Sequence, residues 1–362
     1  MRVIAKVGTS SLTDAGGVIQ EDVIASLCDQ MALLRAQGHD VILVSSAAIS
    51  AGVAALGLPA RPADVLTLQA LAAAGQPRLM EVYNRQLARH GLVGAQVLLV
   101  PHDFANRQQY LHARNTLARL LELGCVPIVN ENDTVASDEI RYGDNDRIAA
   151  LVAHNVSADI LVLLTDTPGL YTADPRTDPT ATLISHVAAN DPLLAVTAGS
   201  TGTDRGSGGM ASKLAAAQLA SWSGVTAVIA RALRPNVLVD AVAGQAVGTT
   251  FAPSDKRLSA RKLWIGFASH VQGAVTVDAG AYRALVDGGR SLLPAGVIGV
   301  SGDFHEGATI EVCNPDGVVF ARGMAVSSAD VVHEHAGRST RDLPARIAHE
   351  VIHRDDLVLL PH

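Results

Sequence analysis

Aliphatic runs recur along the chain, each followed by a polar stretch rich in glycine, serine or acid–amide residues and then by apolar residues at helical spacing. The first run, Arg2 to Val7, reads as a strand and meets Gly8-Thr9-Ser10-Ser11 directly. Val23, Ile24, Leu27, Met31 and Leu34 then recur three or four residues apart, which predicts an amphipathic helix from Glu21 to Gln37, ended by Gly38. Val41 to Val44 is the next strand, and its parallel return makes a βαβ unit. Leu66 to His90 reads as helix broken near Gly75-Gln76-Pro77, Ala95 to Val100 as strand, and Asn115 to Leu123 as helix closed by Gly124. Val126 to Val129 and Ile160 to Leu164 read as buried strands, Met210 to about Ser223 as helix, and Val225 to Ala230 as strand. Strands alternating with helices predict an α/β fold whose mainly parallel sheet is sandwiched by helices.

The pattern changes near Phe251 to Lys262, where Pro253, Ser254 and Asp255 read as a linker. Beyond it, short strands crowd together: Leu263 to Phe267, Ala274 to Val277, Gly296 to Val300, Thr309 to Val312 and Val318 to Ala321, with one helix at Ala279 to Val286. The expected organisation is an α/β domain over residues 1–255 and a small β-rich domain over 262–355.

Composition supports this and narrows the function. The 362 residues are 48% hydrophobic and 3% aromatic, enough for a large aliphatic core. A net charge of −7 points to neither a polyanion partner nor an anionic membrane. Cys28, Cys125 and Cys313 are odd in number, far apart and without metal-ligand spacing, which fits a reducing cytoplasm. Lys6 cuts the first apolar run too early for a signal peptide. Val41 to Ala60 carries no charge and is long enough to span a bilayer, but Ser45-Ser46 divide it into a strand and a small-residue helix running from Ala47 to Leu58.

Candidate chemistry lies where strands end. After Val126-Pro-Ile-Val129 come Asn130-Glu131-Asn132-Asp133 and then Gly143-Asp144-Asn145-Asp146, together four carboxylates and three amides. Such residues build ordinary turns, and they also build the polar mouths where open α/β sheets bind ligands. Lys6 is one of only four lysines in an arginine-rich chain, so it is either a surface lysine at a strand end or a compact ammonium kept for a purpose. Ser45 and Ser46 fit an N-cap as well as an anion site. Thr197 to Gly209 is a glycine-rich loop opening a helix that carries Lys213, either a surface loop or an anion site. It is no Walker A loop, for it lacks Gly-Lys-Ser/Thr, and the strand after its helix ends in Arg231 rather than an acid, against a dinucleotide site.

Taken in order, Lys6-Val-Gly-Thr-Ser10, Ser45-Ser-Ala-Ala-Ile49, Val129-Asn-Glu-Asn-Asp133, Gly143-Asp-Asn-Asp146, Leu164-Thr-Asp166 with Gly169-Leu-Tyr-Thr-Ala-Asp-Pro175, and Gly206-Ser-Gly-Gly-Met-Ala-Ser-Lys213 resemble the glutamate 5-kinases of the amino acid kinase family. Ser291-Leu-Leu-Pro-Ala-Gly-Val297 and Val300-Ser-Gly-Asp-Phe304 resemble the C-terminal PUA domain that these carry. The resemblance covers nearly the whole chain. It implies an amino acid kinase-like sheet, a PUA-like barrel, and ATP- and magnesium-dependent phosphorylation of the γ-carboxylate of L-glutamate to L-glutamyl 5-phosphate, the first step of proline biosynthesis. By resemblance, Lys6 and Lys213 flank the transferred phosphoryl group and Asp146 holds them. Ser46, Asp133 and Asn145 match glutamate-binding positions. Lys6, Thr165, Asp166 and the run Ser207, Gly208, Gly209, Met210, Ala211, Ser212, Lys213 match the ATP-binding positions. No protein side chain is expected to form a metal cage, because magnesium rides on phosphates and water. Feedback inhibition by proline, a homo-oligomer and a cytoplasmic location are further implications.

Two departures stand out: Ala47 where the family usually has Gly, and Ser207 where Thr is usual. Sister kinases acting on acetylglutamate, aspartate or carbamate are the competing enzymes, and the second domain and the charged Asn-Glu-Asn-Asp cluster argue against them. An RNA-binding or regulatory protein is the competing class, and a structural or regulatory second domain is expected ahead of an RNA-binding one. Its mixed charge, with Asp278, Asp287, Asp303, Glu306, Asp355 and Asp356, lacks a dense basic face.

Overall fold

The computed structural model describes residues 1–104, 106–136, 145–189, 191, 209–255, 258–269, 271–339, 341 and 349–360. The chain divides into two compact units, Met1–Arg257 and Leu258–His362.

The first unit contains strands β1 (Arg2–Val7), β2 (Asp40–Val44), β3 (Gly94–Leu99), β4 (Val126–Glu131), β5 (Ile160–Thr165), β6 (His186–Val187), β7 (Thr226–Arg231) and β8 (Gly248–Phe251). Its helices are α1 (Thr9–Leu12), α2 (Glu21–Ala36), α3 (Ala48–Ala55), α4 (Val65–Ala88), α5 (Arg107–Glu122), α6 (Asn145–Asn155), α7 (Met210–Trp222) and α8 (Val237–Val242). The strands form one sheet in the order β3-β4-β2-β1-β5-β7-β8-β6. All pairs are parallel except β7 with β8. β1 is therefore central, with β2 paired on one side and β5 on the other, and the chain changes direction of winding there. Ligands of open α/β sheets bind at the carboxyl ends of the strands beside that point.

Side-chain alternation divides the sheet into two faces. Val3, Ala5 and Val7 join Val41, Leu43, Val126, Ile128, Val162 and Leu164 in one core with α2, α4 and α8. Lys6 shares its parity with Ile4 and so lies on the opposite face, where α6 packs on β1 and α7 on β5 and β7. Burial of both faces explains why the strands read as unbroken apolar runs rather than alternating ones.

Two expectations fail in this unit. α4 is not broken at Gly75-Gln76-Pro77 but runs 24 residues with Pro77 inside it. Gly75 serves a helix crossing instead of a break: a Cβ there would lie 1.9 Å from the carbonyl oxygen of Ala48, and one at Gly52 would lie 2.0 Å from that of Leu71. The backbones of α3 and α4 touch, and buried Leu79, Met80, Tyr83 and Leu87 hold the second half of α4 in place despite the missing proline N–H. The other failure is the start of α3. Ala47 is not helical; it takes a left-handed conformation, φ 80° and ψ 8°, and the helix begins at Ala48. α5 also begins earlier than its apolar spacing suggests, because the Asn106 side chain caps it by accepting N–H bonds from Gln108 and Gln109.

The second unit contains α9 (Ala260–Leu263), β9 (Val271–Val277), α10 (Ala279–Val286), β10 (Val297–Gly302), β11 (Thr309–Cys313), β12 (Val319–Ala325), α11 (Ala329–His335) and β13 (Ile352–Leu359). Its strands form a five-stranded sheet in the order β10-β9-β11-β12-β13, antiparallel except for the β9–β11 pair. Val275, Val277, Ile310, Val312 and Phe320 fill its core. The strand expected over Leu263 to Phe267 is absent: α9 passes into a π-helical turn at Trp264–Ala268. A five-residue apolar run suits either period, and here the helical one wins.

Candidate active site

The carboxyl ends of the central strands bring the predicted residues together in two groups. Lys6, the penultimate residue of β1, is 4% exposed. Its ammonium lies 2.6 Å from Asp146 Oδ1, while the Lys213 ammonium lies 3.0 Å from Asp146 Oδ2. Asp146 stands in the first turn of α6 and is fully buried; Lys213 stands in the first turn of α7 and is 4% exposed. The Ser212 hydroxyl donates to Asp146 Oδ2 at 2.8 Å and also bonds the carbonyl of Gly209, which caps α7. Burial opposes ionisation of Asp146, but the two ammonium groups outweigh it and hold the carboxyl below its ordinary value. The cluster gathers two ammonium groups on one buried carboxylate at the strand ends, an arrangement that suits a polyanion.

The second group surrounds the end of β4. The backbone N–H of Glu131 donates to both Asn130 Oδ1 (3.0 Å) and Asn145 Oδ1 (3.1 Å). Asn130 Nδ2 donates in turn to Gln76 Oε1 of α4 at 2.8 Å. A cavity of about 180 Å³ opens here, lined among others by Ala48, Gln76, Asn132, Asp133 and Thr134. Burial pushes the Asp133 carboxyl up to about 6, with the Arg61 guanidinium opposing the shift. A carboxylate held so reluctantly in its charged form is poised to gain a cation.

The other predicted residues fall along the same edge. Ser46 is buried just beyond β2, and Ser45 Oγ meets the Tyr83 hydroxyl at 2.9 Å, tying that strand end to α4. Thr165 ends β5, buried, and donates to Asp166 Oδ1 at 3.0 Å; Asp166 is exposed. Register sets them beside β1, since Lys6 pairs with Leu163 and Val7 with Leu164. Gly209, Met210 and Ala211 lead into Lys213. Ser207, Gly208, Gly143 and Asp144 lie outside the described residues.

Gln76 is the residue that strand-end motifs do not pick out. Its signal is a polar side chain set in the apolar stripe of α4, four residues after buried Ala72 and four before buried Met80.

Comparison with known proteins follows this geometry. The family model for the amino acid kinase family matches residues 1–231, and that for the PUA domain matches 273–346. The chain is 46% identical to glutamate 5-kinase of Trichlorobacter lovleyi, covering 100% of this chain and 97% of that protein. It is 47% identical to glutamate 5-kinase of Herpetosiphon aurantiacus, covering 99% and 98%. Among solved structures it is similar to carbamate kinase from Giardia lamblia bound to AMP-PNP, with a TM-score of 0.51 and 16% identity over 70% of this chain and 98% of that one. That likeness concerns the fold alone. A kinase-family match over most of the first unit, a PUA match over the second and near-half identity along the full length agree, and the chain belongs to the amino acid kinase family, among its glutamate 5-kinases.

Proposed function

We propose that this protein transfers the γ-phosphoryl group of ATP to the γ-carboxylate of L-glutamate, forming L-glutamyl 5-phosphate at the first step of proline biosynthesis. The observation that carries the site assignment is the buried bridge of Lys6 and Lys213 by Asp146, at the carboxyl edge of the sheet. Phosphoryl transfer asks the protein for in-line positioning and charge stabilisation. Lys6 and Lys213 supply two ammonium groups for the equatorial oxygens of the transferred group. Asp146 keeps the like charges at a fixed spacing, and Ser212 fixes that carboxylate from a third direction.

The acceptor needs no general base. A γ-carboxylate has a reference pKa of about 4.3 and is ionised at neutral pH. Asp133 binds the substrate ammonium, and Ser46 and Asn145 complete the acceptor pocket. Asn145 is set for this by the Glu131 N–H, which occupies its carbonyl and leaves its NH₂ as the donor. On the nucleotide side, Thr165, Asp166 and the loop from Ser207 to Lys213 bind ATP, with the first-turn N–H groups of α7 facing phosphate. Magnesium fits as an ion carried by the nucleotide phosphates, where it neutralises charge: both Asp146 oxygens are already taken by ammonium and hydroxyl donors, so that carboxylate is not a ligand for it. L-Proline has the same ammonium–carboxylate pair as the substrate and competes for the same pocket.

The direct test is ATP-dependent trapping of the acyl phosphate with hydroxylamine, offering L-glutamate, N-acetylglutamate and aspartate separately. Hydroxamate from free glutamate alone is the expected result. Product from another acceptor alone overturns the substrate, and no product from any overturns the reaction.

A further inference from the structure

Among the described residues the side-chain amide of Gln76 is a donor without an acceptor, and its orientation is forced. A backbone N–H can only donate, so the Asn130 atom that faces the Glu131 N–H at 3.0 Å is the oxygen. Asn130 therefore presents its NH₂ to Gln76 at 2.8 Å, and the Gln76 atom receiving it is again the oxygen. The NH₂ of Gln76 is turned away from Asn130. It is buried, the residue being 8% exposed, and has no hydrogen-bond partner among the described residues. Buried amide donors are nearly always paired, so an unpaired one on a residue that lines a cavity marks a place for an acceptor.

That cavity is the one Asp133 lines. On the reading above, Asp133 takes the substrate ammonium, which leaves the α-carboxylate of the amino acid to be recognised. Ammonium and α-carboxylate share one carbon, so their partners have to reach one cavity, and Asp133 and Gln76 both line this one. We propose that Gln76 is a specificity residue whose Nε2–H donates to the α-carboxylate of the acceptor, its polarity set by the relay from the Glu131 N–H through Asn130. The donor is neutral, so it binds the carboxylate without adding a second cation to the Arg61 guanidinium that already acts on Asp133.

4-Aminobutyrate is the matched probe. It keeps the ammonium and the phosphate-accepting carboxylate and lacks only the α-carboxylate. In the wild-type protein, its inhibition constant against glutamate is expected to exceed the KM for glutamate by at least tenfold; equal values overturn the proposal without any variant. Gln76→Met keeps the side-chain length and removes the amide. The expected result is a KM for glutamate raised at least tenfold, kcat within about threefold, and the 4-aminobutyrate constant unchanged within twofold. If both constants rise together, the residue only supports the pocket and the proposal falls; an unchanged KM for glutamate also sinks it. Absence of hydroxamate from glutamate in the wild type is a separate result, which removes the kinase reading itself.

Discussion

Lys213 and Asp146 stand 67 residues apart in the chain and 3.0 Å apart in the fold, joined in the first turns of two helices on the same face of the sheet. Asp146 answers Lys6 with its other oxygen, so removing either lysine still leaves the carboxylate paired. Lys213→Ala is therefore expected to fold normally and to lose about 10²- to 10³-fold in kcat, the usual scale for one preorganised charge-stabilising donor. Steady-state hydroxamate formation together with the far-UV circular dichroism spectrum checks both halves; unchanged turnover removes the lysine from its role.

Removing the acid is a different experiment. Asp146→Ala removes the carboxylate that both buried ammonium groups meet. Breaking a buried pair from one side costs about 3–5 kcal/mol. Urea denaturation is expected to show a loss on that scale, with activity abolished even where the variant remains folded. A variant as stable as the wild type contradicts the electrostatic role of the bridge.

Asp133 predicts a pH dependence with a definite sign. Its carboxyl titrates at about 6 in the free protein, so glutamate meets a neutral partner below that pH. Plots of kcat/KM for glutamate, which report the free enzyme, are expected to fall on the acid side with a midpoint near pH 6. Glutamate's own γ-carboxylate stays ionised through that window. A flat profile from pH 5 to 7 argues against Asp133 as the ammonium partner.

The same shift makes a stability prediction. The folded carboxyl binds its proton more tightly than the unfolded one, whose ordinary value is 3.8. Its contribution is thus most favourable below pH 3.8 and is lost as pH rises toward 6. At pH 7.5 Asp133→Asn, which has no charge to bury, is expected to stabilise the unliganded protein by up to about 3 kcal/mol while raising the KM for glutamate far more than that for ATP. The stability gain should vanish as the pH approaches 4. Thermal unfolding across pH reads it; a destabilised variant at pH 7.5 reverses the sign and refutes the assignment.

Ala47 predicts a gain of another kind. A left-handed backbone costs a residue with a Cβ roughly 1–2 kcal/mol, and Ala47 sits there at φ 80°. Ala47→Gly is expected to stabilise the protein by about 1 kcal/mol, less what glycine adds to the entropy of the unfolded chain. Urea midpoints compare the two. An equal or lower midpoint places the strain elsewhere. The family's usual glycine at this position thus has a conformational reason.

Much of the fold was legible because burial on both faces leaves a plain trace. β1, β2, β4, β5 and β7 each read as strands from aliphatic runs, and a mainly parallel sheet follows from the helices between them. The failures share a cause. Gly75-Gln76-Pro77 reads as a break by propensity, yet the backbone contact with α3 at Ala48 decides its conformation. Leu263 to Phe267 is too short for its period to show. Asn106 as a cap and Ala47 as a left-handed residue depend on single backbone conformations that apolar spacing does not encode.

The candidate site divides in the same way. The sequence by itself determined which residue types stand at the strand ends: the lysine closing β1, the serines after β2, the acid–amide clusters and the glycine-rich approach to Lys213. Their order along the chain also determined the family resemblance. Only the tertiary structure decided that each lysine meets its own oxygen of Asp146 with Ser212 on one of them, that the Glu131 N–H orients two amides, and that Gln76 joins the site from the middle of a helix. The reason is that strand-end chemistry is local and written in consecutive residues, whereas a buried charge balance or an amide's orientation is set by partners that only packing brings within hydrogen-bonding distance.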